Sequence, residues 1–251
     1  MTTEQDTTIQ VETNGSVASL WLEGSGQRNA LSRSTMKSLM QILKDLDTTP
    51  SISVILLRGR GTCFSAGFNL SPVLDDPSTL DEFITGLGQL LKMIRRHRAV
   101  IIAGVHGPAI AGGCAMVSAC DLVVVSPSAK LGYPVHGLGL SPIVSGATLT
   151  SAIGDGPGRS LLISGQLIDG ETAFRLGLAT HLDEDALEAS STLAVKVSRS
   201  GEKALERTKS WLNELDGSLD DNRFNAPVEA SRPLSSDSES MELLRTRWKR
   251  R

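Results

Sequence analysis

His106-Gly107-Pro108-Ala109-Ile110-Ala111-Gly112-Gly113-Cys114-Ala115 is the stretch on which the reading of this 251-residue chain turns. It follows an unbroken apolar run, Val100–Val105, of the length of a buried strand. It leads into residues 115–119, which read as the start of a buried helix. A strand that passes through small residues into a helix leaves backbone N–H groups free at the positive end of the helix dipole. Such a corner favours an anion, or an oxygen that becomes one during a reaction. A second corner lies upstream, where a strand from Val54 to Arg58 runs on to Cys63-Phe64-Ser65-Ala66-Gly67-Phe68-Asn69-Leu70. Two such corners can each aim one N–H at the same oxygen.

Outward from these corners, strand and helix signals alternate, which predicts an α/β core. Residues 9–11 and 17–22 flank Asn14-Gly15, a hairpin signal. Ser32 is placed to cap a helix carrying Met36, Leu39, Met40, Leu43 and Leu46, which ends before Pro50. Residues 52–57 form a near-continuous apolar strand, as a sheet covered on both faces requires. Residues 71–78, with two prolines and Asp75-Asp76, read as a polar loop. Leu80, Phe83, Ile84, Leu87, Leu91 and Ile94 give a helical stripe, and Leu122–Val125 a further buried strand. From Leu193 onward the pattern is helical, but residues 216–240 are polar with two prolines and read as a loop.

Bulk properties set outer bounds. With 40% hydrophobic and 21% charged residues, the chain is a globular one with a sizeable core. The net charge of −3 gives no global attraction to nucleic acid or to a membrane. No apolar run reaches the ~18 residues of a spanning helix. Residues 1–10 lack a cationic, apolar secretion signal. Cys63, Cys114 and Cys120 form no C-x-x-C pair and imply neither a disulfide framework nor a zinc site. Reduced thiols and no signal make the cytoplasm the expected compartment. P-loop, dinucleotide fingerprint and serine nucleophile elbow are absent from the sequence.

At the two corners the chain resembles the crotonase superfamily, the enoyl-CoA hydratase/isomerase family. Ser65-Ala66-Gly67-Phe68-Asn69-Leu70 is similar to its S-A-G-x-D-L segment. His106-Gly107-Pro108-Ala109 with Gly112-Gly113-Cys114 is similar to N-G-x-A-x-G-G-G, and Cys120-Asp121-Leu122 to the C-D-L/I that follows. Gln27-Arg28-Asn29-Ala30-Leu31-Ser32 resembles the early R-N-A-L-S/N. Ser164-Gly165-Gln166 with Ala173-Phe174-Arg175-Leu176-Gly177-Leu178-Ala179 resembles the later T-G-x…A…x-G-L-V. In order and spacing the matches cover residues 11–244.

The resemblance implies a crotonase-like ββα spiral core over residues 1–195 and a helical C-terminal trimerisation region over residues 196–251. It implies an acyl-CoA thioester ligand, with CoA as part of the substrate and no separate cofactor or metal. The thioester oxygen would be held by the N–H groups of Phe68 and Gly112, each able to lower the barrier by about 2.7–4 kcal/mol. Arg28, Ala30, Ala66, Asn69 and Leu70 would hold the CoA tail. Family members are commonly homotrimers or homohexamers, and Trp211 and Leu243-Leu244 supply apolar surface for such contacts.

The departures from the family are as informative. Hydration needs a base for the water and an acid for the α-carbon. The glutamate after G-G-C is here Ala115, and the glutamate after G-x-P is here Val135. Ordinary enoyl-CoA hydration is therefore not expected, nor the isomerisation that uses the second position. The remaining reading is chemistry through a thioester enolate, or acyl-CoA binding without catalysis. His136, one residue beyond the lost glutamate, is the expected proton-handling residue. Tyr133, the sole tyrosine, either packs in that segment or offers it a hydroxyl, with packing the default. His106 reads as structural, and His97, among three arginines, as part of a solvated turn. Asp75 and Asp76 read as solvent-exposed. Arg245, Arg247, Lys249, Arg250 and Arg251 form a basic tail that would meet phosphates of a neighbouring subunit's nucleotide; with Trp248 it is a weak nucleic-acid signal that the overall charge opposes.

Overall fold

The computed structural model describes residues 6–248. The chain opens with a hairpin, β1 (Thr8–Asn14) and β2 (Val17–Glu23), followed by helix α1 (Arg33–Asp47) and strand β3 (Val54–Gly59). Helices α2 (Ser71–Asp75) and α3 (Ser78–Arg96) lead to β4 (Val100–Val105), β5 (Ala109–Ile110) and α4 (Gly112–Ala119). Then come β6 (Leu122–Val125), β7 (Lys130–Gly132), α5 (Gly146–Ile153), α6 (Asp155–Ser164), β8 (Leu167–Asp169), α7 (Gly170–Leu176) and β9 (His181–Leu182). Five helices close the chain: α8 (Ala186–Ser198), α9 (Glu202–Leu215), α10 (Asn222–Ser231), α11 (Pro233–Ser236) and α12 (Ser238–Trp248). No helix among the described residues is long and apolar enough to cross a membrane.

Six strands form one sheet in the order β1-β2-β3-β4-β6-β9, with only β1 antiparallel to its neighbour. A second sheet orders β5-β7-β8. The apolar runs of β3 and β4 have a direct cause. Ile55, Leu57, Ile101 and Ala103 face a core shared with α1, α3 and α4, whereas Val54, Leu56, Val100 and Ile102 face a second core with Ala186 and Ala194 of α8. Covered on both sides, the strands have no polar face to alternate with. The expected boundary at residue 195 falls inside α8, which packs on β3, β4 and β6.

The Ser32 cap is in place, its hydroxyl accepting the Thr35 N–H at 3.1 Å. Four expectations need correction. Residues 71–78 are not a loop: Pro72 sits in the first turn of α2, where its missing N–H costs nothing, and Asp76 caps Ser78 at the head of α3. Residues 216–240 contain α10 and α11, because Phe224 and Val228 bury against α3 despite the polar composition around them. His97 is not solvated: it is 4% exposed, its Nδ1 accepts the Ala99 N–H and its Nε2 donates to the Leu43 carbonyl at 3.0 Å. Leu244 is 1% exposed within its own chain and is not free for a subunit contact.

Candidate active site

The two corners meet. The 63–65 segment and Pro108 are sewn together by Phe64 and Ser65 N–H groups donating to the Pro108 carbonyl, and Ile110 N–H donates back to Ser65 at 2.9 Å. Leu31 N–H donates to Gly67 at 2.7 Å, and Asn69 N–H to Leu31 at 3.0 Å, so the 27–32 turn clamps the first corner from the other side. Gly67, at φ +83°, lies so close to the second corner that a Cβ on it would stand 2.8 Å from the Ile110 oxygen and 3.3 Å from the Gly112 nitrogen. Gly113 is equally constrained: its Cβ would fall 2.6 Å from the Ser65 oxygen.

Neither the Phe68 nor the Gly112 N–H has a hydrogen-bond partner among the described residues. Gly112 opens α4, where the first N–H groups lack intrahelical acceptors. Ala111, just before it, is held at φ +49°, a conformation a non-glycine residue adopts only when its surroundings impose it. The constraint is visible: the Ala111 N–H is tied to the Gly132 carbonyl at 2.8 Å. Among the described residues, the other two non-glycine residues at positive φ, Arg28 and Asn29, are in the clamping turn. The Phe68 ring packs on Phe83 of α3 at 5.1 Å between centroids.

A narrow cavity of about 50 Å³ opens beside Phe68 and Gly112. Its walls are apolar side chains of α3, Tyr133, Val135, Leu140, Pro142 and Val144, with Ser231 and Leu234 at the C-terminal side. Phe68 also borders an outer groove of about 340 Å³ formed by residues 26–28 with Ala30, Ala66, Asn69, Ser71 and Trp248. Cavity and groove therefore share one wall. Of the expected tail-holding residues, Arg28, Ala30, Ala66 and Asn69 line the groove. Leu70 does not; it is 4% exposed and belongs to the core.

His136 is not brought to this cavity. The chain turns after Val135 into a short 3-10 segment, and the imidazole is exposed on a different groove with Asp155 and Arg159. Val135 faces the cavity, so the next side chain along points elsewhere. Asp75 and Asp76 are exposed and line neither space. Cavity-lining carboxylates and imidazoles are absent among the described residues. The thiols are not reactive substitutes, since burial pushes Cys63 up to about 11 and Cys114 up to about 12.

The sequence did not give the roles of two residues. Asn29 is fully buried; its Oδ1 accepts the Gly24 N–H, and its Nδ2 donates to the Arg60 and Cys63 carbonyls at 2.9 and 2.7 Å. It ties the clamping turn to the first corner. Its place in the R-N-A-L-S run was a signal, but only the fold reveals its three partners. Trp248 stands in the groove of its own chain because α12 folds back over it. Arg247 donates to the Gly137 carbonyl at 2.9 Å, while Lys249, Arg250 and Arg251 lie outside the described residues.

Known proteins carry the same architecture. The enoyl-CoA hydratase/isomerase family model matches residues 12–222. A Thermus thermophilus protein with a provisional enoyl-CoA hydratase assignment is 34% identical over 83% of this chain and 85% of its own length. The mitochondrial Delta(3,5)-Delta(2,4)-dienoyl-CoA isomerase of Dictyostelium discoideum is 30% identical over 91% of this chain and 85% of its own. The crystal structure of an enoyl-CoA hydratase from Bacillus halodurans superposes with a TM-score of 0.85 at 25% identity, covering 95% of this chain and 99% of that one. An enoyl-CoA hydratase/isomerase from Mycobacterium paratuberculosis reaches a TM-score of 0.88 at 22% identity, over 97% and 99% of the two chains. With the family model matching most of its length and a relative 34% identical over 83% of it, the chain belongs to the enoyl-CoA hydratase/isomerase family, the crotonase superfamily.

Proposed function

We propose that this protein binds an acyl-CoA thioester and acts on it through an enolate whose oxygen is held by the Phe68 and Gly112 N–H groups. The observation that carries the reading is a pair of unpartnered N–H groups on two adjoining corners beside an apolar cavity. An enolate oxygen carries more charge than the thioester carbonyl, so fixed donors favour the enolate over the ground state. The acyl group would enter the cavity, and the CoA tail would lie in the groove of Arg28, Ala66 and Trp248. CoA would be part of the substrate, with no resident cofactor. Ala115 and Val135 stand where the resemblance places glutamates, so the reaction is not standard enoyl-CoA hydration.

A second reading, acyl-CoA binding without turnover, is favoured by one observation: the cavity presents no carboxylate or imidazole to move a proton. One experiment separates the two. Calorimetry with acyl-CoA thioesters of increasing length tests binding, and exchange of the α-protons in D₂O, read by mass spectrometry, tests enolate formation. Binding with exchange supports the enzyme reading; binding without exchange on any thioester replaces it with the carrier reading; absence of binding removes both. Crotonyl-CoA hydration near ~10² s⁻¹, well above the median enzyme, would overturn the claim that the glutamates are functionally missing.

The same proposal covers assembly. Trp211, Leu212 and Leu215 of α9 are 58%, 54% and 65% exposed, an apolar face suited to other copies of this chain in a trimer or hexamer. A light-scattering mass near 26.7 kDa would contradict it.

A further inference from the structure

Helix α12 touches both spaces of the site. At its C-terminal end Trp248 lines the outer groove with Arg28 and Asn69. Along its length α12 lies on the short turn of residues 136–138. Ser240 packs there so closely that a Cβ on Gly139 would stand 2.7 Å from the Ser240 Cα and carbonyl oxygen, and Gly139 itself is held at φ +75°. Arg247, next to Trp248, donates to the Gly137 carbonyl at 2.9 Å. Leu138 of the turn shares one core with Met241 and Leu244 of α12. The same turn sets the wall of the acyl cavity. Val135 and Leu140, on either side of it, both line the cavity. The Leu138 and Leu140 N–H groups donate to the Val135 carbonyl at 2.9 and 3.2 Å, which joins the two wall residues across the turn. A displacement of α12 therefore displaces this wall, whereas the two corners are tied to each other by their own backbone bonds.

We infer that α12 is a strut that carries occupancy of the outer groove to the acyl cavity. A ligand tail seated against Trp248 holds the helix, and the helix holds Val135 and Leu140 in place. Trp248 is the contact that meets the ligand, and Arg247 is a positioning residue that acts through the Gly137 carbonyl. The inference rests on the acyl-CoA reading above. It adds that the tail, remote from the reacting atoms, orders the wall around the acyl group, so binding energy gained in the groove is used in the cavity.

Hydrogen exchange on the full chain, read by mass spectrometry, tests this with free CoA, which carries the tail and no acyl group. On the native chain, saturating CoA is expected to slow exchange in residues 26–30 of the groove and also in residues 136–140 of the wall, the latter about 5-fold or more, the lower end of ordinary coupling between sites. Trp248→Ala, at CoA raised to saturation, is expected to keep the slowing at 26–30 and lose it at 136–140. Arg247 is exposed, so Arg247→Ala folds as the native chain does. It is expected to reduce the slowing at 136–140 about twofold, the size of one exposed hydrogen bond, and Arg247→Lys to restore it. Slowing confined to 26–30, or slowing with butyryl-CoA and none with CoA, overturns the inference and leaves acyl-CoA binding standing. Full slowing at 136–140 in Trp248→Ala or, where that variant does not fold, in Arg247→Ala does the same. If neither CoA nor butyryl-CoA slows exchange anywhere in the native chain, the acyl-CoA reading falls first and this inference with it.

Discussion

The two corners, residues 63–70 and 106–115, and the opposite wall, from Tyr133 to Ser145, serve one site by different physics. The corners work through backbone. Their N–H groups are aimed by cross-bonds such as Ile110 to Ser65 and Ala111 to Gly132, and by contacts too close for a Cβ at Gly67 and Gly113. A side chain can change there, as Phe68 shows, without moving the donor. The opposite wall works through side chains. One substitution there changes the chemistry outright: residue 135 is valine where the resemblance implies a carboxylate. On the proposed reading, this contrast is what would let a chain hold a thioester while parting from the family's usual hydration chemistry.

The comparison breaks most directly at Gly67. Gly67→Ala puts a Cβ into the Ile110 carbonyl at a positive φ and should push the corners apart. Acyl-CoA affinity measured by calorimetry should fall about 10³-fold, or roughly 4 kcal/mol, the scale of one or two lost donors. Retained affinity would mean the corners do not hold the ligand. Next in size is Asn29→Ala, which orphans the Gly24 N–H and the Arg60 and Cys63 carbonyls. Stability should drop by about 2–3 kcal/mol, seen as a Tm about 5–10 °C lower.

A smaller effect separates stability from site chemistry. Burial holds His97 below its ordinary 6.5, with Lys209 and Arg98 adding to the depression and Asp47 opposing it. Between the depressed value and 6.5 the unfolded chain binds a proton that the folded chain does not. Stability is therefore fully present above about pH 6.5 and declines as pH falls below it. A Tm series from pH 8 to pH 5 should show this decline, and His97→Gln should flatten it. The smallest expected effect is at His136. Because its ring lines a separate groove, His136→Ala should change thioester affinity and α-proton exchange by less than about 2-fold, as an exposed substitution does. A hundredfold loss of exchange would return the histidine to the mechanism.

Much of the fold was legible because burial imposes local patterns. The runs of β3 and β4, the Ser32 cap and the stripe of α3 each follow from what their neighbours cover. The misread segments share a cause. In residues 216–240, α10 owes its helix to Phe224 and Val228 docking on α3, a contact no local composition announces. His97 sits among charged residues in sequence, but its ring is captured by the Leu43 carbonyl, distant along the chain.

By itself the sequence determined that two small-residue corners follow strands, and that positions 115 and 135 hold alanine and valine where the resemblance implies glutamates. Glycine at a tight approach and the identity of a titratable group are properties of single positions, so they are readable without neighbours. Only the tertiary structure decided that the corners abut, that Val135 faces the cavity while His136 faces away, and that Trp248 lines the groove of its own chain. Each of these depends on side-chain direction after a turn, or on contact between segments far apart in the chain. Neither is encoded in local spacing; both emerge when the two cores close around the sheet.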